Sequence, residues 1–257
     1  MRKKKKILRV LFSFIFLIGG LAVVMMFSPL LLLSDIGVDD VSHYTEEEII
    51  RSSGIKKGEN ALKYLGGSIT HLLQLRMGNA EKMVESLPWI KTAEIRYTFP
   101  GSIKVMLMER HAIAWIRHMG NFLLIDEEGY VMEVSSKMDD QYPEIRGIQP
   151  DRFTIGKKIG TEIPDKITWL VQLLQGLEQV DLNTQWKLIE VLDWIDFLEK
   201  KELYLSLDGR ITAKIKLDNE LTYRLSYLKE LYYNYIKPEE KGIIDFFDEK
   251  YARFIAE

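Results

Sequence analysis

The sequence predicts an α+β protein in three parts. These are an N-terminal transmembrane helix, a small domain ordered strand, helix, helix, strand, strand, and a mainly antiparallel β domain with two amphipathic helices. Three observations predict this. A cationic start is followed by 24 positions without a charge, residues 10–33. Between Thr45 and Glu109 the apolar spacing changes from helical to alternating. Beyond Glu109, short apolar runs recur between turn residues and are interrupted twice by longer helical patterns.

The start fixes the expected compartment. Arg2, Lys3 to Lys6 and Arg9 precede every acidic residue, the first being Asp35. A helix over the uncharged stretch would span about 36 Å, more than the roughly 30 Å hydrocarbon core. Ser28-Pro29 is a natural exit, because proline lacks a donor and disfavours helix in the residue before it. The reading is therefore a cytoplasmic tail over 1–9 and a transmembrane helix over 10–28, with the chain beyond it outside by the positive-inside rule. A cleaved signal peptide would carry about 7–15 apolar residues ending at a small-x-small site. Here Phe27, Leu31, Leu32 and Leu33 occupy those places, which favours an uncleaved anchor.

Composition excludes several functions. There are no cysteines, hence no disulfide, thiolate chemistry or cysteine-ligated zinc. Six of the 35 basic residues precede Ser34, leaving 29 against 38 acidic in the rest, so no nucleic acid is expected as a partner.

In chain order, Ile36 and Val38 alternate with small or polar residues as a first strand. Thr45-Glu46-Glu47-Glu48 reads as a capping box opening a short helix that Gly54 ends. One helix is expected from Ser68 to Ser86, stopped by Pro88. Trp89 to Tyr97 and Ile103 to Glu109 form a hairpin around Phe99-Pro100-Gly101-Ser102. Strands follow at Ala114–Ile116, Phe122–Ile125 and Tyr130–Met132, with Asp126 to Gly129 as a solvated turn. Pro143 to Gly160 reads as loop. A helix from Pro164 to about Val180 places Ile167, Leu170, Val171, Leu174 and Leu177 on one face. Leu188–Leu192, Glu202–Leu207 and Ile211–Leu217 read as a meander, and Leu221, Leu225, Leu228, Leu231 and Tyr235 mark a second amphipathic helix. Gly242–Phe247 and Tyr251–Ile255 are closing strands.

Several of these phrases together resemble one family. Glu46 to Asn60, Leu87 to Ile95 with Phe99-Pro100-Gly101, and Glu109-Arg110 are similar to the POTRA domain of the FtsQ/DivIB family of bacterial division proteins. Ile125 to Val131, Tyr142 to Gly147, Asp208-Gly209-Arg210 and Ile244-Asp245 resemble that family's β domain. His111 stands where the family usually has proline, and Phe246-Phe247 replaces its common leucine-arginine. The resemblance implies a POTRA domain over 30–113 and a β domain over 114–257. It implies a single-pass scaffold of the cell membrane, enriched at the division septum and without enzymatic activity or cofactors. Its implied partners are the bilayer, single-pass coiled-coil division proteins of the FtsB/DivIC and FtsL type, and other septal wall-synthesis proteins. A partner would add a strand at the C-terminal strand, which places partner-binding residues at Phe247, Tyr251, Ala252, Arg253, Phe254 and Ile255. Alternation sets Tyr251, Arg253 and Ile255 on one face and Ala252 and Phe254 on the other. A charge at Tyr251 or Phe254 is expected to abolish binding and leave the fold intact. A terminal strand that merely packs onto its sheet is the plain alternative.

Other constellations are weaker. His43, His71, His111 and His118 lack ligand spacing, and Asp126 to Gly129 lacks a calcium loop's alternating oxygens. No G-x-S-x-G, H-E-x-x-H or phosphate loop occurs, so no catalytic, metal or cofactor residue is assigned. Trp186, Trp194, Tyr223, Tyr227, Tyr232, Tyr233 and Tyr235 suit packing better than an aromatic binding surface. The competing functions are a membrane-anchored wall-acting enzyme with unrecognised catalytic groups, and a transport-type POTRA protein, which would carry tandem repeats or a barrel.

Overall fold

The computed structural model of the chain describes residues 13, 14, 16, 17, 19, 20, 28–161, 165–197, 202–246 and 251–257. The basic tail and most of the expected membrane helix lie outside these residues. Among the described residues no helix is long and apolar enough to cross a membrane. The chain divides into two compact units, Met1–Arg110 and His111–Glu257.

The first unit contains β1 (Asp35–Val38), α1 (Glu46–Ser53), α2 (Ile69–Leu73), α3 (Gly78–Val84), β2 (Ile90–Thr98) and β3 (Ser102–Glu109). Its sheet runs β1-β3-β2, with β1 parallel and β2 antiparallel to β3. The capping box at α1 is present. The Thr45 hydroxyl accepts from the Glu48 N–H at 3.3 Å, and the Glu48 carboxylate accepts from the Thr45 N–H at 2.9 Å. Those bonds from Thr45 hold the Glu48 carboxyl below its ordinary pKa.

The single helix expected over Ser68–Ser86 is instead two. Leu75 takes a left-handed φ of 55°, and the backbone there turns to bond β2. A side chain at Gly78 would collide with the Gly66 carbonyl, so the two helices meet where only glycine fits. The core gathers Ile36, Ile49, Met77, Val84, Ile90, Ile95 and Val105. Glu81, buried among them, accepts from Ile95 N–H at 2.9 Å and from Arg76 Nε and Nη2 at 2.8 and 2.9 Å. It thereby ties α3 to β2.

The second unit is built on a nine-stranded sheet. Its strands are β4 (Ala112–His118), β5 (Asn121–Asp126), β6 (Val131–Ser135), β7 (Glu144–Arg146), β10 (Leu192–Phe197), β11 (Glu202–Leu207), β12 (Ile211–Lys216), β13 (Gly242–Asp245) and β14 (Arg253–Ala256). The order is β14-β13-β12-β11-β10-β7-β4-β5-β6, and β8 (Pro150–Arg152) pairs with β9 (Gly160–Thr161) apart from it. Two helices, α4 (Asp165–Asp181) and α5 (Leu221–Glu230), share one core with the inward residues of the sheet.

The segment Pro143–Gly160, expected as loop, contains β7 at the middle of this sheet. Three residues are too few to show a period, yet β7 pairs in parallel with both β4 and β10 and joins the two halves. The first strand of the expected meander lies later, at Leu192–Phe197, after a 3₁₀ turn at Ile189–Val191. In α4 the buried face is Ile167, Leu170, Leu173 and Leu177, with Val171 and Leu174 only half-buried. Gly176 sets that rotation by admitting Leu225 of α5 to close range. Beyond α5 the helix continues as a π turn over Leu231–Tyr235. This shift in period buries Tyr232 and leaves Tyr235 exposed, the reverse of the straight helical reading. Asp126 is fully buried rather than solvated, and accepts from the N–H groups of Glu128 and Tyr130 at 2.9 and 2.8 Å.

Candidate functional site: the C-terminal sheet edge

The expected binding residues fall on or beside β14, which ends the sheet order. How that edge is held follows from residues upstream. Arg210, in the turn after β11, donates to the Lys237 and Glu240 carbonyls, both at 3.1 Å, and to Asp208 at 3.1 Å. Its guanidinium lies 4.9 Å from the centre of the Tyr232 ring. Burial works against its charge, but the bonds to Asp208 and Tyr232 outweigh it and the pKa is raised. Arg210 thus fixes the loop from which β13 starts. Gly242 N–H then donates to the Arg210 carbonyl at 3.1 Å, and β13 runs parallel to β12. A side chain at Gly242 would collide with the Ile255 carbonyl, so glycine is what lets β14 lie flat on β13.

Antiparallel pairing sets Ile243 opposite Ile255, Ile244 opposite Phe254 and Asp245 opposite Arg253. Glu257 N–H donates to the Lys241 carbonyl at 2.9 Å. By the alternation of such ladders, the backbone groups of residues 253, 255 and 257 face β13 while those of Phe254 and Ala256 face the open side.

The side-chain faces follow the expected alternation. Ala252 and Phe254 pack against the core together with Phe246. Tyr251, at 68% exposure, Arg253 and Ile255, at 43%, face outward beside Ile243. Phe254 is therefore a poor position for a charge, which would disturb the sheet as well as any contact. Tyr251 is the clean one. Phe247 lies outside the described residues. Sequence reading missed Phe246, Ile243 and Ala256, which belong to the same edge. Their signal was the period-two pattern carried across both closing strands.

Aromatic rings extend the helical layer to this edge. Tyr223 and Tyr227 of α5 lie 6.3 Å apart, and Tyr227 meets Phe246 edge-on at 6.1 Å. On the other side a polar depression of about 310 Å³ is lined by Glu202, Lys214, Lys216, Asp245 and Phe246. Trp186 is exposed rather than packed in the core, and Trp194 lies under Arg146 at 4.4 Å.

Elsewhere, a cavity of about 360 Å³ opens beside the buried Glu144. That carboxylate accepts from Arg117 Nε at 2.9 Å and Arg146 Nη2 at 2.8 Å, an arrangement suited to pinning β4 to β7. Among the described residues no three His, Asp or Glu side chains converge as metal ligands would.

Residues 31–110 match the family model for the POTRA domain, FtsQ-type. Over 245 residues the chain is 22% identical to the cell division protein DivIB of Clostridium botulinum, covering 95% of this chain and 89% of that protein. The chain carries an FtsQ-type POTRA domain and is similar to FtsQ/DivIB cell-division proteins along nearly its whole length. It is also 29% identical over 119 residues to DivIB of Clostridium acetobutylicum, 46% of this chain but less than half, 42%, of that relative's own length. To FtsQ of Anaeromyxobacter it is 28% identical over 131 residues, 51% of this chain and 40% of that protein. In FtsQ/DivIB terms the first unit is the POTRA domain, and β14 closes the unit that follows it.

Proposed function

We propose that the chain is a non-catalytic scaffold of the division complex. In this reading it is anchored in the cell membrane by residues 10–28, with both folded units outside and the protein enriched at the septum. The β14 edge takes a strand from the exterior segment of a small coiled-coil division protein of the FtsB/DivIC type, held with its FtsL-type partner. That assembly then helps gather septal wall-synthesis proteins. The relatives named as cell division proteins support the division role. The observation that carries the binding mode is the outward-facing backbone of Phe254 and Ala256 at the end of the sheet. An added strand would gain main-chain hydrogen bonds worth about 0.5–1.5 kcal/mol each. Its inward side chains would meet Phe254 and the Tyr227–Phe246 row, and its outward ones Tyr251, Ile255 and Ile243.

Two substitutions test this reading in the full-length protein. Ala256→Pro removes an edge donor without touching a β13 bond, since proline is tolerated where the N–H faces solvent. Tyr251→Glu places a charge at the exposed face. Both are expected to weaken binding of the partner's exterior segment at least about tenfold, with the melting transition held. Unchanged affinity in both variants removes the placement at β14.

A further inference from the structure

The POTRA unit contains a helix turned inside out. α2 buries none of its five residues, and its apolar side chains, Ile69 and Leu73 at 80% exposure and Leu72, face solvent. Thr70 is exposed as well, and His71 alone faces inward, its Nε2 approaching the buried Glu81 at 3.3 Å. A short helix held in this orientation by a contact to a buried carboxylate displays Leu72 and Leu73 to solvent, and such displays mark interaction surfaces.

The hydrogen bonds show where this helix sits. Leu75, two residues beyond it, accepts from Tyr97 N–H at 2.9 Å. Tyr97 Oη donates to the Leu30 carbonyl at 2.9 Å and accepts from Gly101 N–H at 2.9 Å. Ser34 N–H donates to the Gly101 carbonyl, and Leu32 bridges Asn60. One end of the unit therefore gathers the entry of the chain, the 99–101 turn, the short 3₁₀ turn Ala61–Lys63 and α2. At that end Leu30, Leu32, Leu62, Phe99 and Leu75 are exposed too. At the opposite end Glu109 accepts from the Ser42 and His43 N–H groups.

We infer that this apolar end seats in the interfacial layer of the bilayer, so that the POTRA unit is held against the membrane as well as tethered to it. The occupant is lipid because of what enters the same end. The expected anchor, residues 10–28, runs without a spacer into Leu30 and Leu32, so it delivers these side chains to the acyl–headgroup boundary. The inference rests on the anchor reading above. Its consequence is orientation, with the POTRA sheet rising from the membrane at a set tilt and β3 running from the seated end toward Glu109.

The absence of native cysteine allows single-site labelling of the full chain. Leu73→Cys, Phe99→Cys and, as the far-end control, Glu46→Cys are coupled to an environment-sensitive fluorophore. The protein is reconstituted in vesicles of phosphatidylethanolamine and phosphatidylglycerol. Labels at 73 and 99 are expected to be quenched by nitroxide-bearing lipid and at least about threefold less accessible to aqueous iodide than the label at 46. Equal iodide access at all three positions, in a chain that resists alkaline carbonate extraction, overturns the lipid seat and leaves the anchor standing. Release by carbonate overturns both. Shielding that develops only when a partner's exterior segment is added assigns the patch to protein and overturns the lipid seat.

Discussion

The two edges of the nine-stranded sheet are built differently. At β6, the backbone of residues 129–131 is met by the 156–159 loop: Val131 N–H donates to Lys157, Gly156 N–H to Val131, and Ile159 N–H to Gly129. At β14 the sheet order simply ends, on a four-residue strand with a half-exposed face. The POTRA unit guards its β2 edge in the manner of β6, with the segment from Leu75 to Met77 bonding Ile95 and Tyr97. An open strand edge is a template for pairing with any other chain, and folds generally cover or shorten it. β6 is met by the chain's own backbone at Val131 and β2 at Ile95 and Tyr97, whereas among the described residues no further strand pairs with β14, which is why the proposed partner is placed there.

Substitutions can break or sharpen this contrast. The largest effect is expected from Gly242→Val, whose side chain meets the Ile255 carbonyl and lifts β14 from β13. Partner affinity should fall by about a hundredfold, while stability falls by only about 1–3 kcal/mol, because little of β14 is buried. Titration calorimetry and urea unfolding would measure the two. Arg210→Ala should act next. Without the guanidinium, the loop at Lys237–Glu240 loses its anchor, and amides of β13 and β14 are expected to exchange about tenfold faster while those of β6 hold.

Glu109→Gln is the control in the other unit and should leave both edges of the large sheet untouched. Burial works against the Glu109 charge, but the N–H groups of Ser42 and His43 and the His43 ring hold its pKa below the ordinary 4.5. Its stabilisation is therefore present above pH 4.5 and lost as pH falls through the lowered value. The variant should be about 1–2 kcal/mol less stable at neutral pH, and the gap should close under acid, as pH-dependent unfolding would show.

Much of this architecture was legible in the sequence because it rests on local chemistry. The Thr45–Glu48 box, the hairpin around Pro100-Gly101 and the alternation of Tyr251 to Ile255 each need only neighbours to specify them. What was not legible depends on distant partners. β7 is a strand only because β4 and β10 flank it, and three residues carry no period. The break at Leu75 follows from backbone bonds to β2, whereas the apolar spacing from Ile69 to Leu87 continued across it. Nor does that spacing say that Ile69, Leu72 and Leu73 face solvent, as they do. The edge status of β14 was implied by the resemblance alone, since alternation says which face a residue occupies and not whether another strand lies beside it.

The most direct test of the β14 account is residue-resolved amide exchange of the full-length protein, with and without a saturating exterior segment of the proposed coiled-coil partner. The account predicts that Phe254 and Ala256, whose N–H groups face outward, become protected at least about tenfold while β6 is unchanged. A complex that forms with exchange at 254 and 256 unaltered, or with the new protection at β6, would contradict it.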